Sequence, residues 1–162
     1  MKIVTLKQLR RLLSNWRRKK LRVVFTNGCF DLLHLGHVRS LQLARKEGDI
    51  LIVGLNSDSS VRKLKGPGRP LVPGKERAEI LSALEAVDYI VFFSQTTPLN
   101  LIKAIKPDVL VKGAEYRGKE VAGADLIRKR GGKVVFLPMV KGRSTSRLVA
   151  RIIQKTVGEK NE

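Results

Sequence analysis

The sequence predicts an α/β domain: a Rossmann-like, five-stranded parallel sheet with helices on both faces. Three observations carry this. Short apolar runs without polar alternation recur along the chain, as strands covered on both faces require. Between them lie segments with apolar residues at spacings of three and four, the period of a helix. The two kinds alternate, so each strand–helix–strand passage reads as a parallel crossover. At 162 residues the chain fits one such domain and can bury a core without disulfides.

Each element has its own signal. Thr5 can cap a helix running to about Lys20, with Leu6, Leu9, Leu12, Leu13 and Trp16 as its apolar stripe. A buried strand follows at 22–26, then a loop at 28–34. A helix over 36–47 is read from Val38, Leu41, Leu43 and Ala44, and a strand over 50–55. Residues 56–73 read as a long polar loop around Gly66-Pro67-Gly68 and Pro70; a loop that long is more often functional than accidental. Then come a helix over 75–86, a strand over 89–93, a helix over 98–105 with Pro98 at its start, and a strand over 109–111. A helix over 119–130 stops at Gly131-Gly132, a strand covers 133–137, and a last helix over 144–157 is capped by Ser144 or Thr145. Ligands in such folds sit beyond the strand C-termini, where strand order reverses.

Composition narrows the function classes. Lys+Arg is 33 against 14 Asp+Glu, a formal net charge of +19. That excess suits anionic substrates, nucleic acid, an anionic membrane surface, or the solvated surface of a heat-adapted protein. No zinc-finger, RNP or helix-turn-helix pattern accompanies it, so specific nucleic-acid binding is not expected. The single Cys29 excludes an internal disulfide and a Cys-only zinc site. No apolar run is long enough to span a bilayer, and no secretion signal is visible. A cytoplasmic protein without a membrane partner is expected; a homo-oligomer is compatible with the sequence.

The chemistry concentrates after the first strand, in Thr26-Asn27-Gly28-Cys29-Phe30-Asp31-Leu32-Leu33-His34-Leu35-Gly36-His37, which holds both histidines of the chain. Their i,i+3 spacing puts both imidazoles on one side of a helix's first turn. Gly36 between them allows close approach of backbone or ligand. A helix N-terminus there offers free N–H groups suited to phosphate, and two imidazoles can donate to phosphate oxygens as charge builds. Cys29, Asp31, His34 and His37 can also be written as a zinc quartet, although a strand-to-helix turn favours anions over cations. Asp31 reads as a brace of its own loop, Cys29 as a packed thiol and Phe30 as core.

These residues resemble the signature of the HxGH nucleotidyltransferases, here His34-Leu35-Gly36-His37 preceded by Cys29-Phe30-Asp31. Lys141-Gly142-Arg143-Ser144-Thr145-Ser146 resembles that superfamily's phosphate-binding turn before its last helix, and Val111-Lys112-Gly113 its strand-end block. Within the superfamily the chain most resembles the adenylyltransferase (ADP-heptose synthase) domain that activates heptose 1-phosphate. That likeness rests on residues 25–31, on Asn56-Ser57-Asp58-Ser59-Ser60-Val61, on Leu64-Lys65-Gly66 with Arg69-Pro70, and on residues 108–113 with Tyr116. Glycerol-phosphate cytidylyltransferases are similar but carry arginine where this chain has Met139; Glu115 stands where relatives often have Asp.

The resemblance implies transfer of AMP from ATP, with Mg²⁺, to a sugar 1-phosphate, most simply heptose 1-phosphate, releasing pyrophosphate. Alternatives are a cytidylyltransferase for a polyol or amino-alcohol phosphate, an FAD synthetase, or, outside enzymes, a basic nucleic-acid-binding module. It implies His34, His37 and Lys65 as catalytic. Thr26, Asn27, Gly28, Cys29, Phe30, Gly36, Lys112, Gly113, Ser144 and Thr145 would contact the nucleotide. Asp31, Asp58, Arg69 and Arg77 would contact the acceptor, and no protein-held metal is expected. Residues 1–20 would form an amphipathic helix packed on a nucleotidyltransferase domain at 21–157, with 158–162 as a tail.

Overall fold

The computed structural model describes residues 2–140, 142 and 144–158, the last two by backbone alone. Five strands, β1 (Val23–Gly28), β2 (Ile50–Asn56), β3 (Tyr89–Phe93), β4 (Val109–Gly113) and β5 (Lys133–Leu137), form one parallel sheet in the order β3-β2-β1-β4-β5. Around it lie α1 (Leu6–Arg18), α2 (Leu35–Arg45), α3 (Asp58–Lys65), α4 (Gly74–Ser82), α5 (Leu99–Ile105), α6 (Ala124–Arg128) and α7 (Thr145–Gly158).

Period-two alternation divides the strand residues between two cores. Val23, Phe25, Ile52, Val91 and Leu110 pack on one face with Leu9, Leu13 and Trp16 of α1, Leu101 and Ile105 of α5 and Ile127 of α6. Val24, Leu51, Val53, Ile90 and Val109 point the other way, onto Leu41 and Ala44 of α2 and Ala78 and Leu81 of α4. Thr5 caps α1 in a reciprocal capping box with Gln8, and the N-terminal segment pairs with the edge strand β3 through Val4 N–H to Ile90 O and Ile90 N–H to Lys2 O, each 2.9 Å.

Three elements depart from the sequence expectation. The polar stretch 56–73 contains α3, capped by Ser57, whose Oγ accepts from Ser60 N–H at 3.3 Å. Val61 packs inward while the other seven helix positions are polar or exposed, so its apolar period is almost silent. The helix expected over 119–130 covers only α6, because Gly123 sits at φ 84 and a Cβ there would lie 2.9 Å from Ile102. That close, left-handed passage ends the helix on its N-terminal side. The helix expected over 75–86 ends at Ser82.

Two lysines occupy left-handed backbone: Lys20 after α1 (φ 54) and Lys106 after α5 (φ 52). Glycine or asparagine is the low-cost choice there; another residue gives up roughly 1–2 kcal/mol. A cation near a helix C-terminus returns only about 0.3–1 kcal/mol through the dipole.

Candidate active site

β1 and β4 start together and then part. Their ladder is Val24 with Val109 and Phe25 with Leu110; beyond these pairs the strands are joined by side chains. Thr26 Oγ1 donates to Val111 O at 3.2 Å, and Lys112 Nζ to Asn27 Oδ1 at 2.5 Å. The reversal of strand order falls between these two strands, so the crevice lies at the switch point. A cavity of about 40 Å³ marks its floor, lined by Thr26, Phe30, Ser40, Lys112, Gly113 and Leu137 among others. Ser40 was missed by the sequence reading. It stands one turn beyond His37 on α2, and that spacing is the signal that could have found it.

The turn from β1 to α2 carries the histidines. His34 is the N-cap of α2, and its carbonyl accepts from His37 N–H at 2.9 Å and Val38 N–H at 3.2 Å. The two rings stack, centroids 3.8 Å apart, and Phe30 lies 5.1 Å from His37. Phe30 itself is left-handed at φ 46, a rare and costly state for a bulky residue, and its ring lies so close over Gly28 that a Cβ there would meet it at 3.0 Å. Both Nδ1 atoms are buried. Burial, and then the charge of His34, pull His37 down to about pKa 4 against a smaller opposing pull from the Leu32 backbone. His37 is therefore neutral at pH 7.

Three cations approach this turn differently. Burial lowers Lys112 to about pKa 8, partly offset by Glu115, and its Nζ sits 5.3 Å from the Tyr116 ring centre. Lys65 ends α3 exposed, close enough for its charge to act on the Cys29 thiol. Burial raises that thiol's pKa, outweighing Lys65 and Arg77, so Cys29 stays protonated. Arg69 reaches Asp31 Oδ2 at 2.7 Å from the loop that follows α3.

Asp31 and Arg77, expected at the acceptor, are committed to the protein. Asp31 Oδ1 accepts from Leu71 N–H at 2.7 Å and Val72 N–H at 2.9 Å, while Oδ2 takes Arg69. Burial alone would raise this carboxyl; the Val72 amide, Arg69 and the Leu71 amide outweigh it and hold it below the ordinary range. Arg77 is 1% exposed. Its guanidinium donates to the carbonyls of Val72 (2.9 Å), Cys29 and Asn56 (3.0 Å) and to Asp58 Oδ1 (2.7 Å). One buried fork thus ties the β1 turn, the end of β2, the start of α3 and the 66–73 loop together. Gly74 makes room for it, since a Cβ there would stand 3.0 Å from Asp58 and 3.2 Å from Arg77.

Asp58 keeps a half-exposed carboxylate beside this hub. Ser144 Oγ accepts from Arg147 N–H at 3.3 Å at the start of α7, with Thr145 the helix's first residue; Lys141 and Arg143 lie outside the described residues, as do 159–162 of the expected tail. Among the described residues no three His, Cys, Asp or Glu side chains gather as a metal site, and no helix is long and apolar enough to cross a membrane.

Comparison with known proteins agrees with this geometry. A cytidylyltransferase-like family model matches residues 25–146. The chain is 52% identical over 154 residues to the bifunctional protein HldE of Syntrophotalea carbinolica, covering 95% of this chain and 31% of that protein. It is 51% identical over 147 residues to the HldE protein of Gluconobacter oxydans, with 91% and 31% covered. The chain therefore spans about a third of the length of these curated relatives. A lipopolysaccharide core biosynthesis protein of Thermoplasma volcanium, solved by crystallography, superimposes with TM-score 0.61 at 28% identity, over 76% of this chain and 99% of that one. The pantoate–β-alanine ligase of Francisella tularensis shares the fold at TM-score 0.58 and 17% identity, with 90% and 69% covered. With the family model spanning both the histidine turn and the start of α7, the chain belongs to the cytidylyltransferase-like family.

Proposed function

We propose that this chain is a nucleotidyltransferase that moves AMP from ATP to the phosphate of a sugar 1-phosphate, most simply heptose 1-phosphate, giving ADP-heptose and pyrophosphate. The observation that carries it is the stacked His34–His37 pair at the N-terminus of α2, beside the β1–β4 crevice. The resemblance to heptose 1-phosphate adenylyltransferase domains and the roughly half-identical HldE relatives support the acceptor.

The acceptor phosphate is an anion at pH 7, so no general base is needed. An acceptor oxygen attacks the α-phosphorus of ATP, and the bond to the β-phosphate bridging oxygen breaks. What remains is alignment and charge stabilisation. His34 and neutral His37 would donate to the phosphate oxygens as charge gathers on them. Lys112, with Lys65 and Arg69 at the 66–73 loop, would supply positive charge. Thr26, Asn27, Gly28, Cys29, Phe30, Gly36 and Gly113 would line the nucleotide, with Ser144 and Thr145 offering the N-terminus of α7 to phosphate. Asp58 would meet an acceptor hydroxyl, and Arg77 and Asp31 would act by holding the loops around it. Mg²⁺ arrives on the nucleotide as part of the substrate, since few carboxylates border the crevice. A cytoplasmic location follows from such substrates.

Pyrophosphate release, screened with ATP and CTP against sugar and polyol phosphates, tests the proposal. ATP with heptose 1-phosphate should give the highest kcat/KM. A preference for CTP with a polyol phosphate would replace the substrate assignment, and no release with any pair would remove the enzymatic one.

A further inference from the structure

A cleft larger than the crevice cavity lies at the opposite end of the sheet. It has a volume of about 520 Å³, within the range of small-ligand sites. Six cations line it: Arg17, Lys20, Arg22, Lys106, Arg130 and Lys133. The single carboxylate among its walls, Asp108, already accepts from Val23 N–H at 2.8 Å. Arg17 donates to Ile105 O and Lys133 reaches Glu47, so these two are partly engaged. Among the described residues, Lys20 and Lys106 are the two non-glycine residues in left-handed backbone outside the active-site turn. Glycine fills the equivalent turn after α6, where Gly131 has φ 78. The helix dipole repays less than the strain costs, so helix capping does not account for the lysines at the first two turns. The walls also include Leu21, Val23, Pro107 and Val109, and no aromatic residue on which a base could stack, which argues against a single-stranded nucleic acid.

We infer that this cleft is a second, non-catalytic binding site for a small diphosphate-bearing anion, held by Lys20, Lys106, Arg22 and Arg130. Its ligand is either inorganic pyrophosphate or the diphosphate of a nucleotide.

The test is an amide NMR titration of the full chain with inorganic pyrophosphate at moderate salt, alongside two paired variants. Asparagine tolerates left-handed backbone, so K20N/K106N removes two charges while keeping both turns. R10Q/R11Q removes two charges from α1 outside the cleft. The inference expects saturable shifts at Lys20, Leu21, Lys106, Gly131 and Gly132 in the wild type. The apparent affinity read there should fall at least tenfold in K20N/K106N and stay within twofold in R10Q/R11Q. Shifts confined to the His34–His37 turn, or equal weakening by both pairs, would overturn it, the latter by tracing the effect to diffuse charge. A parallel titration with ADP separates the two sources: equal affinity means the diphosphate alone is read, and tighter ADP means the nucleoside rests on the Leu21–Pro107 wall.

Discussion

The two ends of the sheet handle their polar groups in opposite ways. Where the strands begin, three aspartates close the ladder. Asp49 accepts from Arg22 N–H at 2.7 Å, Asp88 from Leu51 N–H at 2.7 Å and Asp108 from Val23 N–H at 2.8 Å. Where the strands end, the β1–β4 ladder stops early and donors stand around the gap: two stacked imidazoles, Lys112, and a left-handed Phe30 beneath them. Fixed acceptors at one end consume the strands' free N–H groups and stabilise the fold. At the other end, the early stop of the β1–β4 ladder gathers imidazoles and a lysine around a gap that suits an anion. Ladder-closing acceptors and the proposed chemistry are thus separated along the strand axis, and single substitutions can break that separation.

The largest effect belongs to the histidines. His37→Ala should lower turnover at least ~10²-fold, with His34→Ala alike, because one lost transition-state donor costs roughly that much. Thermal unfolding should stay cooperative in both. Asp108→Ala should do the reverse, costing about 1–3 kcal/mol of stability while kcat is kept. Steady-state rates and denaturant curves on the same variants decide it: a stable, slow Asp108 variant or an unfolded, otherwise competent His37 variant would reverse the division.

Arg77 is where the division is least sharp, since it is buried like the core yet holds the site's loops. Arg77→Ala should destabilise by about 3 kcal/mol, the order expected when one partner of a buried pair is lost. Arg77→Lys keeps the charge but not the fork. It should fold and still lose about tenfold in kcat, through misplaced loops, with a smaller change in KM for ATP. Full activity in Arg77→Lys would reduce Arg77 to a core residue.

Protonation separates three groups within the site's own end of the sheet. Between pH about 6.5 and about 4 the unfolded chain protonates His37 and the folded chain does not, so folding stability should fall as pH drops through that window, by about 3 kcal/mol. Asp31 acts lower: its depressed carboxyl stabilises the fold above the unfolded value of 3.8 and loses that contribution as pH falls further. His37→Asn should remove the first slope and leave the second. On the alkaline side, kcat/KM should decline above pH about 8 as Lys112 loses its proton, and Lys112→Arg should keep the profile flat there. Urea titrations and a pH–rate profile read these limbs separately.

Much of this was legible in the sequence because it is local. The strand-to-helix turn announces itself through Gly28, Gly36 and two histidines three residues apart, and β1 through β5 through unbroken apolar runs. What was hidden is set by tertiary contact. Helix α3 hides because one inward valine gives almost no period. Arg77 enters the sequence reading only through the resemblance, as an acceptor contact, and nothing local says that carbonyls from three segments converge on it. Asp31 was legible as a brace, but its partners, the Leu71 and Val72 amides and Arg69, lie some 40 residues away on the 66–73 loop. The basic cleft needs α1, α5 and α6 to end side by side, which only the strand order brings about.

The smallest predicted effect tests whether the +19 charge matters as a whole or by position. Lys112 lines the crevice and Lys65 and Arg69 stand by the β1–α2 turn, whereas Arg10, Arg11, Arg17, Arg18, Lys19 and Lys20 lie on α1 or just past its end, across the sheet. Exposed charges beyond a Debye length of ~8–10 Å are screened. Neutralising the α1 group should leave kcat and KM within about twofold, and Arg17, which donates to Ile105 O at 2.8 Å, should register only as a small loss of stability where α1 meets α5. Neutralising Lys65 or Arg69 should raise KM clearly; Arg69 has a second route, because its loss frees Asp31 and loosens the loop. Any affinity for DNA should be weak, indifferent to sequence and lost between low and moderate salt. If the α1 variants lose activity while the loop variants keep it, charge acts on the reaction from the wrong end of the sheet, and the separation of the two ends fails.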